Sequence, residues 1–222
     1  MATKKNEVQV VIPEIKLQQA RIRIVGTSPL VVHKFSEKAM RQMLEKQMKT
    51  AKTAAKEAKN PVEDFMQALY WLTPMPERFT EQDYTDAVAA GARFAFPTTG
   101  IKASIVSAAY RADLVKNKVS LFGCFHLAGE LTEIKGVAPV MREDTVRLQT
   151  GVADIRFRPE FPVGWYMDLD FTFNAAMLSL EQLVCFVTLG GFAVGIGENR
   201  IEKGGQWGAY KVAGQEEHCE RI

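Results

Sequence analysis

Apolar and polar positions alternate most regularly between Val163 and Phe173, where Trp165, Met167, Leu169, Phe171 and Phe173 share one face and Tyr166, Asp168, Asp170 and Thr172 the other. A period of two with one apolar face predicts a half-buried β-strand. Ala20 to Gly26 alternates in the same way, with Ile22 and Ile24 opposite Arg21, Arg23 and Val25, and breaks at Gly26 and Pro29; it predicts a first core strand. From Ser36 to Lys59 the period becomes helical, with Ser36 placed to cap the helix and Glu37 in its first turn. Asn60-Pro61 interrupts it, and Val62 to Leu72 resumes a more apolar helix before the turn marked by Pro74 and Pro76. Ahead of all this, residues 1–7 are polar, and Val8 to Ile12 predicts a short arm or edge strand before Pro13.

The remainder repeats the alternation of strands and helices. Ala92 to Pro97 predicts a short strand, and Thr98 or Thr99 is expected to cap a helix through Ile101, Ile105, Ala108, Ala109 and Leu114. Ser120 to Leu127 and Glu130 to Lys135 read as strands parted by Gly129. Residues 137–160 are charged and β-capable around Gly151, which predicts a long hairpin projecting from the core. Ser179, followed by Glu181 and Gln182, opens a helix that runs through Leu183, Phe186, Val187 and Leu189 into a glycine-rich segment, and Gly208 to Val212 forms a last strand. The core order is β-α-β-β-α-β, an α+β fold of the ferredoxin-like or RRM-like kind with helices on one face of an antiparallel sheet. One domain is expected, its core at 18–35 and 92–214, with a helical insertion at 36–91 and the protruding β-hairpin at 137–160.

Composition narrows the functional classes. The 222 residues are 47% hydrophobic, enough for one substantial core, and 28 basic against 26 acidic residues leave a net charge of only +2. Attraction to nucleic acid must therefore come from local clusters of charge. Cys124, Cys185 and Cys219 lack the spacing of a zinc site or a disulfide framework, so no metal or cofactor is expected and the chain reads as a reduced, cytoplasmic protein. The N-terminus carries no apolar signal core, and no apolar stretch approaches membrane-spanning length, so no membrane role is expected.

Seven of the 16 glycines fall between residues 190 and 208. Their density after an apolar helix predicts a backbone that something approaches closely, either a phosphate chain held by N–H groups or another strand of the same protein. The spacing from Gly191 through Gly195 to Gly197 follows a helix, unlike the dinucleotide and Walker loops, which follow a strand and open a helix.

Basic residues concentrate in three places. Between Lys34 and Lys59 there are eight basic against three acidic residues, and Lys38, Arg41, Lys49, Lys52 and Lys56 recur at helical spacing on a side separate from Met40, Leu44, Met48, Ala51 and Ala55. Such a stripe is either a solvated face or a phosphate contact. The hairpin carries Arg142, Arg147, Arg156 and Arg158 with Phe157 between the last two, a pattern that suits phosphate pairing and base stacking, or equally the wet face of an ordinary strand. Arg200 and Lys203 follow the glycines and add charge where a phosphate can sit, while Trp207 is expected to pack over the loop. Asp168 and Asp170 make the outer face of the best strand acidic, so binding is not expected across that face.

Three segments resemble a known family. Ile24 to Leu30 resembles the opening strand of the repeat-associated mysterious protein (RAMP) superfamily, Phe96 to Ile105 is similar to the entry into that superfamily's first helix, and Gly190 to Gly197 resembles its C-terminal glycine-rich loop. Members with this layout are backbone subunits of CRISPR effector complexes, lined up along a guide RNA, with an RRM-like palm and a hairpin thumb. The resemblance implies that Lys102 and the 190–197 loop, including Gly195 and Gly197, face a nucleic-acid backbone and that 137–160 is the thumb. The helical stretch at 36–72 departs from the family pattern, and a stand-alone or virus-encoded relative that binds single-stranded DNA or RNA is as much implied as a guide-binding subunit.

The expected function is sequence-tolerant binding of single-stranded DNA or RNA by backbone contacts, with protomers assembling as a homo-oligomer along the strand. No Ser-His-Asp or Cys-His grouping is legible among His33, His126 and His218, and no catalysis is expected. Two other classes remain open. One is a metal-independent endoribonuclease using His33, as related ribonucleases of the superfamily use a histidine; the other is an assembly protein without nucleic-acid binding.

Overall fold

Two alternating segments far apart in sequence become the central pair of the main sheet. The computed structural model describes residues 15–48, 59–147, 151 and 153–214. The arm expected at 8–12 and the second half of the first predicted helix lie outside them.

In chain order the elements are β1 (Leu17–Gly26), β2 (Leu30–Val31), α1 (Glu37–Gln47), α2 (Pro61–Gln67), β3 (Tyr70–Trp71), α3 (Glu81–Ala89), β4 (Phe94–Pro97), α4 (Thr98–Arg111), α5 (Lys118–Cys124), β5 (Phe125–Leu127), β6 (Leu131–Ile134), β7 (Val140–Arg147), β8 (Ala153–Phe161), β9 (Tyr166–Asn174), α6 (Leu180–Leu189) and β10 (Tyr210–Val212). A π-helical turn at Gly190–Val194 and a 3-10 turn at Ile201–Lys203 lie between α6 and β10. The architecture is α+β with three antiparallel sheets. The largest has the strand order β10-β1-β9-β5, and the other two are β2-β8-β7 and β3-β4-β6.

The predicted alternation of β9 holds: Met167, Leu169, Phe171 and Phe173 are buried beside Ile22 and Ile24 of β1. They share one hydrophobic cluster with Ile101 and Ile105 of α4 and Leu183, Phe186 and Val187 of α6. Each such side chain contributes about 1.5–3 kcal/mol by leaving water. Ser179 closes the predicted capping box with Gln182 and fixes where α6 begins. The hairpin forms between β7 and β8, in register from Val140 opposite Glu160 to Arg147 opposite Ala153, and β2 pairs with the base of β8.

Several local expectations are corrected. Ser120 to Cys124 is helical, because Asn117 caps α5 by accepting the Val119 N–H at 2.8 Å and Leu121 and Cys124 bury at helical spacing. Neither Thr98 nor Thr99 caps α4. The position belongs to Pro97, and the Thr98 hydroxyl instead meets Thr132 at 3.0 Å inside the protein. Helix α3, capped by Thr80, falls within the stretch 36–91 expected as a helical insertion, though not expected there as a separate helix. Within the 36–91 stretch, Phe65, Met66 and Leu69 are buried in the main cluster, and Tyr70–Trp71 pairs with β4, so this part is built into the core.

The outer face of the main sheet is not the acidic surface expected from Asp168 and Asp170. Arg21 meets Asp170 at 2.5 Å and Arg23 meets Asp168 at 2.7 Å across the β1–β9 pair, and Lys135 adds a third cation 3.1 Å from Asp168. Burial pushes the Asp168 carboxyl up, but hydrogen bonds and charge from Arg23 and Lys135 outweigh it and hold it below the ordinary carboxylate value. Asp144, between Arg142 and Arg158, is depressed by the same balance. A carboxylate whose folded pKa lies below its unfolded value stabilises the protein above the unfolded pKa, and that contribution is lost as pH falls through the folded one. The melting temperature is therefore expected to be level above about pH 5 and to fall steeply below about pH 4. Asp168→Asn should flatten the acid limb, and an acid limb identical to wild type would remove Asp168 from this account.

Candidate nucleic-acid interface

Helix α4 presents small residues to the glycine-rich segment. Gly100, Ala103, Ser104 and Ser107 recur at three- and four-residue spacing on one face, and the Ser104 hydroxyl donates to the Gly190 carbonyl at 3.0 Å. A side chain at Gly191 would overlap the Tyr210 backbone, so here the close approach comes from the protein's own β10. This is one of the two alternatives the glycines left open. After the π-helical turn the chain changes course at Gly195 (φ 73°) and Gly197 (φ 79°). The Glu198 N–H then donates to the Val31 carbonyl at 2.9 Å, which brings β2 and the adjoining His33 alongside.

Between α4 and this segment lies a half-open cleft of about 360 Å³, lined on one side by Thr99, Gly100 and Ser107 and on the other by Gly195, Gly197 and Arg200. The first turn of the 14-residue α4 has no side-chain cap and no acidic residue of its own; its Thr98 N–H donates to the Glu130 carbonyl at 2.9 Å, and Pro97, Thr99 and Gly100 of this helix start line the cleft. His33, Tyr70 and Phe96 bring rings to the cleft, and Glu198 and Glu202 bring carboxylates.

The two carboxylates differ in their surroundings. Glu202 binds Arg200 at 2.8 Å and Arg111 at 2.5 Å. Burial pushes its carboxyl up, but the Arg200 hydrogen bond and the charges of Arg200, Arg111 and Lys203 hold it below the ordinary value. Glu198 is 44% exposed, and its nearest cation is the Arg158 Nη1 at 3.5 Å. His33 is half-buried, and burial lowers its pKa, which keeps the ring neutral at neutral pH.

Of the residues singled out in the sequence, Gly195, Gly197 and Arg200 meet in the cleft, and Lys203 is exposed at the end of the 3-10 turn that follows Arg200. Lys102 does not join them. Its Nζ donates to the Phe122 carbonyl at 2.8 Å and lies over the Phe122 and Phe125 rings, on the α5 side of the helix. Arg142 and Arg158 are engaged within the fold: Arg142 binds Asp144 at 2.8 Å and Glu160 at 2.5 Å, and Arg158, buried at 8% side-chain exposure, binds Asp144 at 2.7 Å. Both stack on Trp207, which packs as expected. Phe157 is half-buried against the core and does not offer an open platform for a base.

Arg147 is exposed on the hairpin, and Arg156 is 38% exposed with Asp154 at 3.8 Å. On α1, Arg41 is exposed, and so are Met40, Met43, Leu44 and Met48 of its apolar side. Lys38 lies on the same helix, while Lys49 and Lys52 fall outside the described residues. Sequence reasoning missed Tyr70, Arg111, Glu198 and Glu202. Only the small-residue stripe of α4, which Arg111 continues one turn on, left a readable signal. Among the described residues no cluster of His, Cys, Asp and Glu could hold a metal ion, and no helix is long and apolar enough to cross a membrane.

No protein-family model matches this chain, and no curated protein matches it. Among solved structures, Cmr6 from Pyrococcus furiosus is similar to it with a TM-score of 0.37 and 12% identity, over 90% of this chain and 100% of that one.

Proposed function

We propose that this chain binds single-stranded nucleic acid by its sugar–phosphate backbone, the strand lying across the cleft between α4 and the glycine turn. The observation that carries this reading is the meeting, in one half-open cleft of about 360 Å³, of the uncapped start of α4, the Gly195–Gly197 backbone and Arg200. A helix start bears about half a positive charge, and Gly195 and Gly197, packed against the backbone of Gly208 and Val31, bring main chain to the wall of the cleft. Arg200 and Arg111 balance Glu202 and Glu198 in number, so the attraction rests on the helix start and the main chain together with Arg200. Contacts of this kind are blind to base identity, which supports sequence tolerance.

Two further observations favour the same reading. The sheet order β10-β1-β9-β5, with α4 and α6 between its strands, supports reading the α+β fold as ferredoxin-like, in keeping with the RAMP resemblance. Two of the three segments that carry that resemblance, Phe96 to Ile105 and Gly190 to Gly197, contribute to the cleft. Assembly of protomers along the strand belongs to the same proposal, with the exposed Arg147, Arg156 and Arg41 as outlying phosphate contacts.

Fluorescence anisotropy with mixed-sequence RNA and DNA oligonucleotides tests it. Affinity is expected to fall steeply between about 50 and 200 mM salt, and Arg200→Ala should weaken binding of every sequence alike, roughly tenfold, while lowering the salt slope by about one. Salt-insensitive binding, or an Arg200→Ala protein that binds as well as wild type, would sink the proposal. His33 in the cleft favours one second reading, an endoribonuclease in which the neutral imidazole takes the proton of a ribose hydroxyl. That reading requires RNA cleavage that His33→Ala abolishes while binding persists.

A further inference from the structure

A carboxylate is an unsuitable neighbour for a phosphate chain, and Glu198 stands in the cleft without the paired cations that answer Glu202. Its Oε2 has one cation at 3.5 Å, and no hydrogen bond to its Oε1 is found among the described residues. Around it are flat rings: His33 and Tyr70 both sense its charge, and Phe96 lines the same cleft. Aromatic faces beside an open carboxylate suit a nucleobase, which stacks by its faces and offers N–H donors at its edge. Resting on the reading that the cleft holds nucleic acid, we infer that one nucleotide of the strand turns its base toward His33 and Tyr70, and that Glu198 makes guanine the preferred base at that position.

The chemistry of the four bases decides the preference. Guanine presents N1–H and N2–H side by side, two parallel donors for the two oxygens of one carboxylate. Cytosine and adenine offer one amino group beside a ring nitrogen that repels the carboxylate, and uracil and thymine flank a single N–H with two carbonyls. The neutral His33 ring adds no competing charge. A volume of about 360 Å³ lies at the small end of ligand sites and suits a single nucleotide. Gly100 and Ser107 are seven residues apart on α4, a rise of about 10 Å, so the phosphates flanking that nucleotide can reach the helix start and Arg200 at the two ends of the cleft.

The test uses otherwise identical oligothymidine strands that carry one central guanine, cytosine, adenine or thymine, with affinity read by fluorescence anisotropy. The guanine strand is expected to bind about tenfold tighter than the all-thymine strand, and in Glu198→Gln that ratio should fall to within about twofold. Thermal melting of Glu198→Gln checks that this half-exposed substitution leaves the protein folded. Equal affinity for the four strands, or a guanine preference that survives in folded Glu198→Gln, overturns the inference while leaving salt-sensitive backbone binding intact. Failure of every strand to bind overturns the backbone reading and this inference with it.

Discussion

Gly208→Ala is expected to destabilise the protein by about 3 kcal/mol, lowering the melting temperature by roughly 6–12 °C for a chain of this size. Gly208 sits at φ 69°, and a methyl group there would overlap the Ile196 carbonyl. Its own N–H donates to the Pro29 carbonyl at 2.7 Å, and its carbonyl accepts the Ile196 N–H at 3.0 Å, so three distant segments are fixed through one residue. The left-handed conformation costs a residue with a Cβ about 1–2 kcal/mol, and forcing a methyl into packed backbone adds about 1–3 kcal/mol. Gly204 separates the two contributions. It has φ 79° with nothing within 4 Å of where a methyl group would stand, so Gly204→Ala should lose only the conformational share, about 1 kcal/mol. Because Ile196 lies between Gly195 and Gly197, displacing it should also disturb the cleft. Urea melts in which Gly208→Ala and Gly204→Ala lose equal stability would contradict the assignment of Gly208 to close packing.

The sequence made β1 and β9 legible because each buries one face and exposes the other, and their alternation survives in the fold. The capping box of α6 is similarly local, as Ser179 and Gln182 are three residues apart. Strands β2 and β3, each of two residues, are too short to carry a period, and they exist because β8 and β4 offer them edges. The same limit hid the cleft. Bare backbone was legible in the glycines, but Tyr70 reaches the cleft through strand pairing and His33 through its position after β2. Which distant backbone each glycine meets, Tyr210 at Gly191, Gly208 and Trp207 at Gly195, and Val31 at Gly197, depends on the π-helical turn and the pairings beyond it. Arg156 and Arg158, two residues apart on one strand face, were indistinguishable in sequence. Their side chains are 38% and 8% exposed because Glu198 and Trp207 arrive from some 40 residues away to cover only the second.

That difference makes Arg158→Ala the second large effect, a loss of about 3 kcal/mol in stability and not a selective loss of binding. Removing one partner from a buried ion pair costs about 3–5 kcal/mol because the remaining charge stays desolvated. Asp144 would keep Arg142 at 2.8 Å, which holds the cost toward the lower end, while Glu198 would lose its nearest cation and Trp207 one of its two stacked guanidiniums. The Arg158 Nε is itself buried without a hydrogen-bond partner among the described residues, a penalty the native fold already carries and which further limits the net loss. Arg156→Ala, at a half-exposed site 3.8 Å from Asp154, should change stability by less than about 1 kcal/mol. Binding experiments on the hairpin therefore need Arg147 and Arg156, since weakened binding after loss of Arg158 would mix unfolding with any lost phosphate contact. Urea melts of the two single variants decide the matter: if Arg158→Ala is as stable as Arg156→Ala, the Arg158–Asp144 pair does not anchor the hairpin, and Arg158 returns to the set of candidate phosphate ligands.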